Sequence, residues 1–182
     1  PTILTGWNVE FFDVNYLYNR AQQVVGKDIA NLLSPIGQVQ WSDFSKRYKI
    51  AGVSVLDYLA LYKTFTFSQR ASYRLDAIGE YEVGEKKVAY EGTLNDLYEN
   101  DIDKFVQYNL QDVKLVQKLD DKLNFIDIGR GIAHLGHCPY EDVFMSSRYL
   151  EGAILVYMYK TQSRVSMSGF MIWILQVCIR LV

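Results

Sequence analysis

The spacing of hydrophobic residues predicts two strand-then-helix units in the first half of the chain. A short apolar run over residues 2–5 ends at Gly6, and apolar residues then recur every three or four positions until Gly26. This order indicates a strand, a turn and a helix. A second strand is predicted over residues 50–56, and helical spacing follows it from Tyr58. The side chains expected to face the core from the first helix are Val14, Leu17, Ala21, Val24 and Val25.

The segments between and after these units have mixed character. Residues 31–49 combine charges, aromatics and a Ser-Pro-Ile-Gly sequence, which predicts an irregular or hairpin connection. Ser72 is suited to cap a helix over residues 73–82, with Leu75 and Ile78 facing inward. Gly84, just beyond that helix, is a typical helix-ending residue.

A long helix is predicted in the second half of the chain. Thr93 and Asp96 approximate a capping box for a short helix, and a longer helical pattern then runs from Asp101 to Ile126. Its expected apolar stripe consists of Ile102, Phe105, Val106, Val113, Val116, Leu119, Leu123 and Ile126. Tyr108 and Asp112 are four residues apart on this element, so a phenol and a carboxylate share one helix face.

Composition limits the class of protein. A chain of 182 residues with 49% hydrophobic content predicts one core, and therefore one domain with a tail. The formal charge of −2 argues against a protein that holds nucleic acid by positive charge alone. Two distant cysteines predict no disulfide framework and favour a reducing cytoplasm. The longest apolar run, residues 169–175, is too short to cross a membrane.

The ends of the chain differ from its body. The first residues already have strand character, so the N-terminus looks cut from a longer protein. From Tyr159 onward the chain is hydrophobic and basic, which indicates either a C-terminal helix or an interruption of the natural sequence. We predict three segments: a main domain over residues 1–136, a connection over 137–158, and an atypical tail over 159–182.

Two aspartates are the candidate chemical groups. Asp13 stands at the predicted start of the first helix, and Asp112 stands on the long helix. A carboxylate is a hard oxygen ligand, and Mg²⁺ prefers one or two carboxylates together with water and substrate phosphate. The alternative for Asp13 is a helix cap, which an Asp at such a position often provides.

The residues around these aspartates carry a family resemblance. Residues 6–13, Gly-Trp-Asn-Val-Glu-Phe-Phe-Asp, resemble the second exonuclease motif of family B DNA polymerases, Asn-x-x-x-Phe-Asp. Residues 108–112, Tyr-Asn-Leu-Gln-Asp, match their third motif, Tyr-x-x-x-Asp. The intervening residues 34–37, 52–63 and 72–78 are similar to the proofreading domain of T-even-type bacteriophage polymerases. The resemblance extends over about residues 1–158.

The resemblance implies a fold, an activity and partners. The fold would be RNase H-like (DnaQ-like), a mixed α/β sheet flanked by helices, with its N-terminal strands truncated here. The activity would be removal of a mispaired nucleotide from a primer 3′ end by hydrolysis with two Mg²⁺ or Mn²⁺ ions. The partners would be a single-stranded DNA 3′ end or primer–template DNA and the remaining polymerase domains, in the cytoplasm of a phage-infected bacterial cell.

The resemblance also implies residue roles. Asp112 would bind the metal that activates water, and Tyr108 would orient that water through its hydroxyl. Asp13 would serve the second metal near the leaving oxygen. Asn8 and Phe12 would help to seat the terminal nucleotide.

One family element is missing. The first exonuclease motif, Asp-x-Glu on an early strand, supplies the carboxylate that bridges both metals, and it should precede Pro1. The family tolerates an acid at the place of Glu10 beside an intact first motif, so Glu10 is not a substitute. We therefore expect an incomplete site, inactive by itself. The alternatives are a non-catalytic nucleic-acid-binding or structural module of the same fold, and a self-standing nuclease.

Other polar residues favour structural roles. His134, His137 and Cys138 lack the further ligands that a structural zinc site needs. Asp57, at the junction of the second strand and its helix, is predicted to cap that helix. The cluster of Lys46, Arg47 and Lys49 is expected to be a solvated face rather than a DNA contact.

Overall fold

A computed structural model describes residues 2–85 and 94–161 of the chain. The strands of these residues form two small sheets. Strands β1 (Ile3–Gly6) and β4 (Ser54–Asp57) are parallel neighbours. Strands β2 (Val39–Ser42) and β3 (Arg47–Ile50) form an antiparallel hairpin, which was one of the two alternatives for this connection. The α-helices are α1 (Asp13–Val25), α2 (Lys27–Ala30), α3 (Tyr58–Phe65), α4 (Leu75–Val83), α5 (Leu94–Asn100), α6 (Ile102–Leu123), α7 (Phe125–Gly136) and α8 (Ser146–Thr161). The 3₁₀ turns are Asn31–Leu33 and Tyr140–Phe144. The predicted α/β class is confirmed.

Three predicted boundaries were wrong, each because of local backbone geometry. The strand over residues 50–56 is split, since Gly52 has a φ of +82° and turns the chain between β3 and β4. The helix predicted from residue 73 begins at Leu75. The Ser72 hydroxyl accepts a hydrogen bond from the Arg74 N–H but does not cap this helix. The pattern ending at Ile126 is two helices, because Asn124 adopts a left-handed conformation (φ +54°) between them.

The buried face of α1 also differs from the predicted one. Val14 and Tyr18 are buried, whereas Leu17, Val24 and Val25 are exposed. Tyr18 provides the reason, because its ring packs against Tyr48 of the hairpin at 4.4 Å between centroids. The hairpin therefore selects which side of this amphipathic helix is covered, and the spacing along α1 does not contain that information.

The stripe predicted for α6 is correct at Leu119, and its members Val116, Leu123 and Ile126 are partly buried against the core, but three other members are wrong. Ile102, Val106 and Val113 are exposed, while Leu115, which the pattern missed, is fully buried. Helix α4 packs against the Leu115 side of α6, where Gly79 allows the two helices to approach closely. The position of α4 therefore decides the buried face.

The core lies where α3, α4, α6 and α7 meet β4. Its buried members are Leu56, Tyr58, Leu61, Tyr62, Leu75, Ile78, Leu115, Leu119, Phe125, Ala133 and Val143. Burial of each large apolar side chain stabilises the fold by about 1.5–3 kcal/mol. The predicted inward positions of Leu75 and Ile78 are confirmed.

A polar network ties α3, α4 and α6 together at one edge of this core. Glu82 accepts a hydrogen bond from the Tyr62 hydroxyl at 2.7 Å and lies 3.1 Å from the Lys122 ammonium. Arg70 adds a third donor to Glu82 at 3.3 Å. Because its donors come from three different segments, this carboxylate fixes their relative positions.

Several predictions lie at or beyond the edge of the described residues. Thr93 of the proposed capping box and the tail from residue 162 are outside them. The division into three segments stays a prediction, and α8 runs through its boundary at residue 159. Among the helices of the described ranges, none has both the length and the apolar character needed to span a membrane.

Candidate functional site

The candidate site begins where the two parallel strands end. Gly6 is the register partner of Asp57, so the last residues of β1 and β4 lie side by side. Residues 7–12 form a turn that connects β1 to α1, and we call these six residues the motif turn. Asp13, directly after it, is the first residue of α1. In open α/β sheets, ligands bind at the carboxyl ends of the strands.

Backbone hydrogen bonds and one side-chain anchor shape the motif turn. Asn8 has a φ of +64°, a left-handed conformation that Asn tolerates better than most residues. The N–H groups of Asn8 and Glu10 donate to the Asp57 carboxylate at 3.1 and 3.3 Å. The Trp7 indole N–H donates to the carbonyl of Tyr73 at 3.1 Å. The turn is thereby attached to both the sheet and the segment before α4.

Helix α6 brings the second aspartate to the site. Its start is fixed by Asp101, whose carboxylate accepts from the Lys104 N–H at 3.0 Å, as a helix cap does. Asp112 lies near the middle of this helix, and its Oδ1 atom is shielded from solvent. The predicted long helix thus supplies a rigid support for the carboxylate.

Asp13 and Asp112 line the same cleft, which has a volume of about 520 Å³. Two further carboxylates, those of Asp120 and Asp121, line it as well. The other lining residues are Thr5, Gly6, Trp7, Val9, Leu75, Asn109, Val113, Val116, Gln117 and Ile126. Within the described ranges, the cleft wall therefore holds four acids and neither lysine nor arginine.

The other three predicted site residues lie near the cleft but do not line it. Tyr108 is half-buried on α6, four residues before Asp112. Asn8 and Phe12 lie on the motif turn, and Phe12 is 66% exposed. The structure thus brings two of the five candidates together, and the roles of all five stay predictions.

Burial and neighbouring charge change the acidity of the carboxyl groups at the motif turn. Partial burial raises the pKa of Asp13 above its usual 3.8, the negative charge of Asp57 adds to this rise, and a hydrogen bond from its own backbone N–H opposes it. Burial also raises the pKa of Glu10, although the nearby Arg47 guanidinium acts in the opposite direction. Glu10 forms an ion pair with Arg47, so it is engaged with the hairpin.

The carboxylates of the cleft are chemically suited to divalent metal ions. Mg²⁺ and Mn²⁺ are bound through carboxylate oxygens, and Asp13 and Asp112 present such oxygens to one cleft. Among the described residues, however, no group of three His, Cys, Asp or Glu side chains converges closely enough to hold an ion. Within the described residues, the two carboxylates thus share a cleft without forming a complete set of metal ligands.

Asn109, Gln117 and Asp120 also line the cleft, and the sequence interpretation missed them. Positions 109, 112, 116, 117 and 120 share one face of an α-helix, so these three residues lie on the same side of α6 as Asp112. Extending the face of Asp112 along the helix would have found them. Asp120 has a structural partner, because its carboxylate accepts from the Tyr58 hydroxyl at 3.1 Å.

The predicted structural role of Asp57 is confirmed. Its carboxylate caps α3 by accepting from the N–H groups of Leu59 and Ala60. The two hydrogen bonds from the motif turn were not foreseen. They join residues 47 and 49 positions apart in the sequence, so no local pattern reveals them.

His134, His137 and Cys138 line a separate pocket of about 350 Å³ at the end of α7. Burial raises the pKa of the Cys138 thiol, and the charge of Asp142 adds to that rise. This pocket lies apart from the acidic cleft, because the two share no lining residue.

Comparison with known proteins supports the family resemblance of this chain. Residues 1–78 match the model of the DNA polymerase family B exonuclease domain. The chain is 35% identical over 175 residues, 93% of its length, to a DNA-directed DNA polymerase of Escherichia phage RB69, and covers 19% of that protein. It is 36% identical over 149 residues, 79% of its length, to a DNA-directed DNA polymerase of Enterobacteria phage T4, and covers 17% of it. A DNA polymerase of guinea pig cytomegalovirus is 25% identical over 167 residues, 82% of this chain and 15% of that protein.

The chain thus spans about a fifth of the length of the phage polymerases that it matches. The family model covers the motif turn and Asp13, and the match over 93% of the chain extends across α6 with Asp112, so the elements that build the acidic cleft are included. The comparisons support an exonuclease domain similar to those of the T4 and RB69 family B DNA polymerases.

Proposed function

We propose that this chain supplies part of the 3′-to-5′ proofreading exonuclease site of a DNA-directed DNA polymerase, within an RNase H-like fold. The substrate would be the single-stranded 3′ end of a primer, and the other polymerase domains of the parent protein would be its partners. The cytoplasm of a phage-infected bacterium would be its location. The observation that carries the proposal is the cleft shared by Asp13 and Asp112, from two segments far apart in sequence.

The charge of the cleft supports a metal-dependent reaction. Four carboxylates line the described cleft, and DNA carries one negative charge per phosphate. A phosphodiester entering this cleft is repelled unless cations neutralise the acids. Two divalent ions held together would supply that neutralisation and would steady the attacking and leaving oxygens.

Each of the five candidate site residues has a proposed role. Asp112, held on the rigid α6, binds the ion on the side of the attacking water, and the Tyr108 hydroxyl orients that water. Asp13 binds the second ion, on the side of the leaving oxygen. The exposed ring of Phe12 and the amide of Asn8 seat the terminal nucleotide beside the cleft.

We further propose that the 182 residues alone do not complete this site. They contain no Asp-x-Glu sequence, and the described residues present no group of three metal ligands. With two carboxylates, an ion would bind weakly and its position would be poorly defined. The same reasoning keeps a non-catalytic nucleic-acid-binding module as the second candidate.

The proposal can be tested by metal binding and by hydrolysis. Mn²⁺ binding to the chain is measured by water proton relaxation, and loss of nucleotides from a 5′-labelled single-stranded oligonucleotide is measured with Mg²⁺ or Mn²⁺. We expect Asp13→Ala and Asp112→Ala each to weaken Mn²⁺ binding. Asp127→Ala is the matched control, because Asp127 is an exposed acid on α7 outside the cleft.

In a full-length polymerase that carries this segment, we expect either cleft substitution to reduce exonuclease activity by about 10²- to 10³-fold, by analogy with other losses of electrostatic stabilisation. Polymerisation should persist. Equal Mn²⁺ affinity in the wild type and both cleft variants would refute the metal site. Turnover by the isolated chain that disappears in both variants would refute its incompleteness.

A further inference from the structure

One buried carboxylate, that of Asp57, connects the catalytic motif turn to the rest of the fold. Asp57 is only 3% exposed, and its two oxygens accept four backbone N–H groups. Buried carboxylates are stable only when their oxygens are satisfied in this way. The motif turn and the start of α3 therefore converge on this one side chain.

Two of these four hydrogen bonds exceed what a helix cap requires. Capping of α3 uses Oδ1 alone, which accepts from Leu59 at 2.9 Å and from Ala60 at 3.3 Å. The same oxygen also accepts from Asn8 at 3.1 Å, while Oδ2 accepts from Glu10 at 3.3 Å. Oδ2 is thus directed to the motif turn and takes no part in the cap.

The two tethered N–H groups control the path of the chain into Asp13. Asn8 holds the left-handed conformation that starts the turn, and its carbonyl accepts from the Phe12 N–H at 3.3 Å. The carbonyl of Val9 accepts from the Val14 N–H at 3.0 Å. Fixing Asn8 and Glu10 therefore fixes the first turn of α1, from which the Asp13 side chain reaches the cleft.

We propose that Asp57 is a positioning residue of the exonuclease site, which holds the motif turn so that Asp13 faces Asp112 across the cleft. This inference rests on the proposed function. Asp57 does not line the cleft, so it acts through the turn and not as a ligand. Its negative charge also reaches Asp13, where it raises the carboxyl pKa.

The substitution Asp57→Asn separates the two tasks of this side chain. The amide oxygen can take the place of Oδ1 and keep the α3 cap, whereas the amide nitrogen then replaces Oδ2. A donor would face the Glu10 N–H, also a donor, and that hydrogen bond would be lost. Asp101→Asn is the matched control, since Asp101 caps α6 by one hydrogen bond and lies outside the cleft lining.

Two measurements on the 182-residue chain test the proposal: amide hydrogen exchange without metal, and Mn²⁺ affinity. In Asp57→Asn we expect the Glu10 amide to exchange about tenfold faster, with the amides of Asn8 and α3 little changed, because these donate to the oxygen that the variant keeps. We expect Mn²⁺ affinity to fall about tenfold, the lower end of the usual effect of a residue that orients a metal ligand. Asp101→Asn should change neither quantity.

A Glu10 amide that stays protected in Asp57→Asn would overturn the proposal, and so would equal acceleration of exchange throughout the domain. If Asp13→Ala leaves Mn²⁺ affinity unchanged, the proposed function is refuted. The amide hydrogen exchange of Asp57→Asn still decides whether Asp57 holds the motif turn. If Asp57→Asn does not fold, amide hydrogen exchange of the wild-type chain tests the tether. Slow exchange of Asn8 and Glu10 supports the tether, and exchange at the rate of an unstructured peptide overturns it.

Discussion

Replacement of Gly79 by alanine tests how closely α4 must approach the helix that carries Asp112. Gly79 is buried within α4, and a Cβ atom there would lie 2.7 and 2.9 Å from the two Cδ atoms of Leu115. Such distances are too short for carbon atoms, so a side chain or a helix must move. Leu115 is fully buried, which leaves its side chain little free volume to accept the methyl group.

The expected magnitude follows from two opposing effects. Alanine has the higher helix propensity, which stabilises a helix by about 1 kcal/mol relative to glycine. Overpacking of a core costs about 1–3 kcal/mol. We expect Gly79→Ala to lower the free energy of unfolding by about 1 kcal/mol, which corresponds to about 2–4 °C in melting temperature for a chain of this size.

Gly131→Ala is the matched control, because it makes the same chemical change inside helix α7. Apart from the backbone of α7 itself and the two neighbouring residues, no atom of the described residues lies within 4 Å of a Cβ atom built at Gly131, so only the propensity effect remains. We expect this variant to be more stable than the wild type by about 0.5–1 kcal/mol. Urea unfolding followed by circular dichroism measures both variants.

A double-mutant cycle with Leu115→Ala isolates the contact itself. Removing the Leu115 side chain should make Gly79→Ala neutral or stabilising, since the atoms that obstruct the methyl group are gone. If Gly79→Ala is equally harmful in both backgrounds, the contact with Leu115 is not the cause and the reasoning is wrong. A wild-type-like Gly79→Ala variant would refute the predicted close packing directly.

Two further predictions concern buried polar groups. Burial opposes ionisation of Glu82, but donors including Tyr62 and Lys122 outweigh it and lower its pKa below the usual 4.5. The ionised carboxylate therefore stabilises the fold above about pH 4.5, and this contribution is lost as the pH falls through the lower folded-state pKa. Between pH 5 and 3 the wild type should lose more stability in urea than Glu82→Gln, and parallel pH profiles would contradict this. Tyr58→Phe removes the hydroxyl that donates to Asp120 and should cost about 1–3 kcal/mol in the same assay, whereas an unchanged unfolding midpoint would show that the hydrogen bond contributes nothing.

The sequence by itself determined the elements whose signals are local. The apolar run ending at Gly6 predicted β1, and the helical spacing after Tyr58 predicted α3. Asp57 and Asp101 were placed correctly at helix starts, because a capping side chain contacts N–H groups only two or three residues away. The motifs around Asp13 and Asp112 also predicted the family, which the comparisons confirmed.

Tertiary structure decided which faces of α1 and α6 are buried. The hairpin covers Tyr18 and leaves Leu17 exposed, and α4 buries Leu115 while Val113 lines the open cleft. Each of these helices has apolar residues on more than one side, so its own spacing does not indicate where a neighbouring element will pack.

Tertiary structure also decided what surrounds the candidate aspartates. The sequence indicated that Asp13 and Asp112 belong together, while the fold added Asp120 and Asp121 to their cleft and attached the motif turn to Asp57. These relations join residues that are far apart along the chain. They arise because parallel strands bring their carboxyl ends to one edge and α6 lies beside that edge, and neither arrangement is contained in any short stretch of sequence.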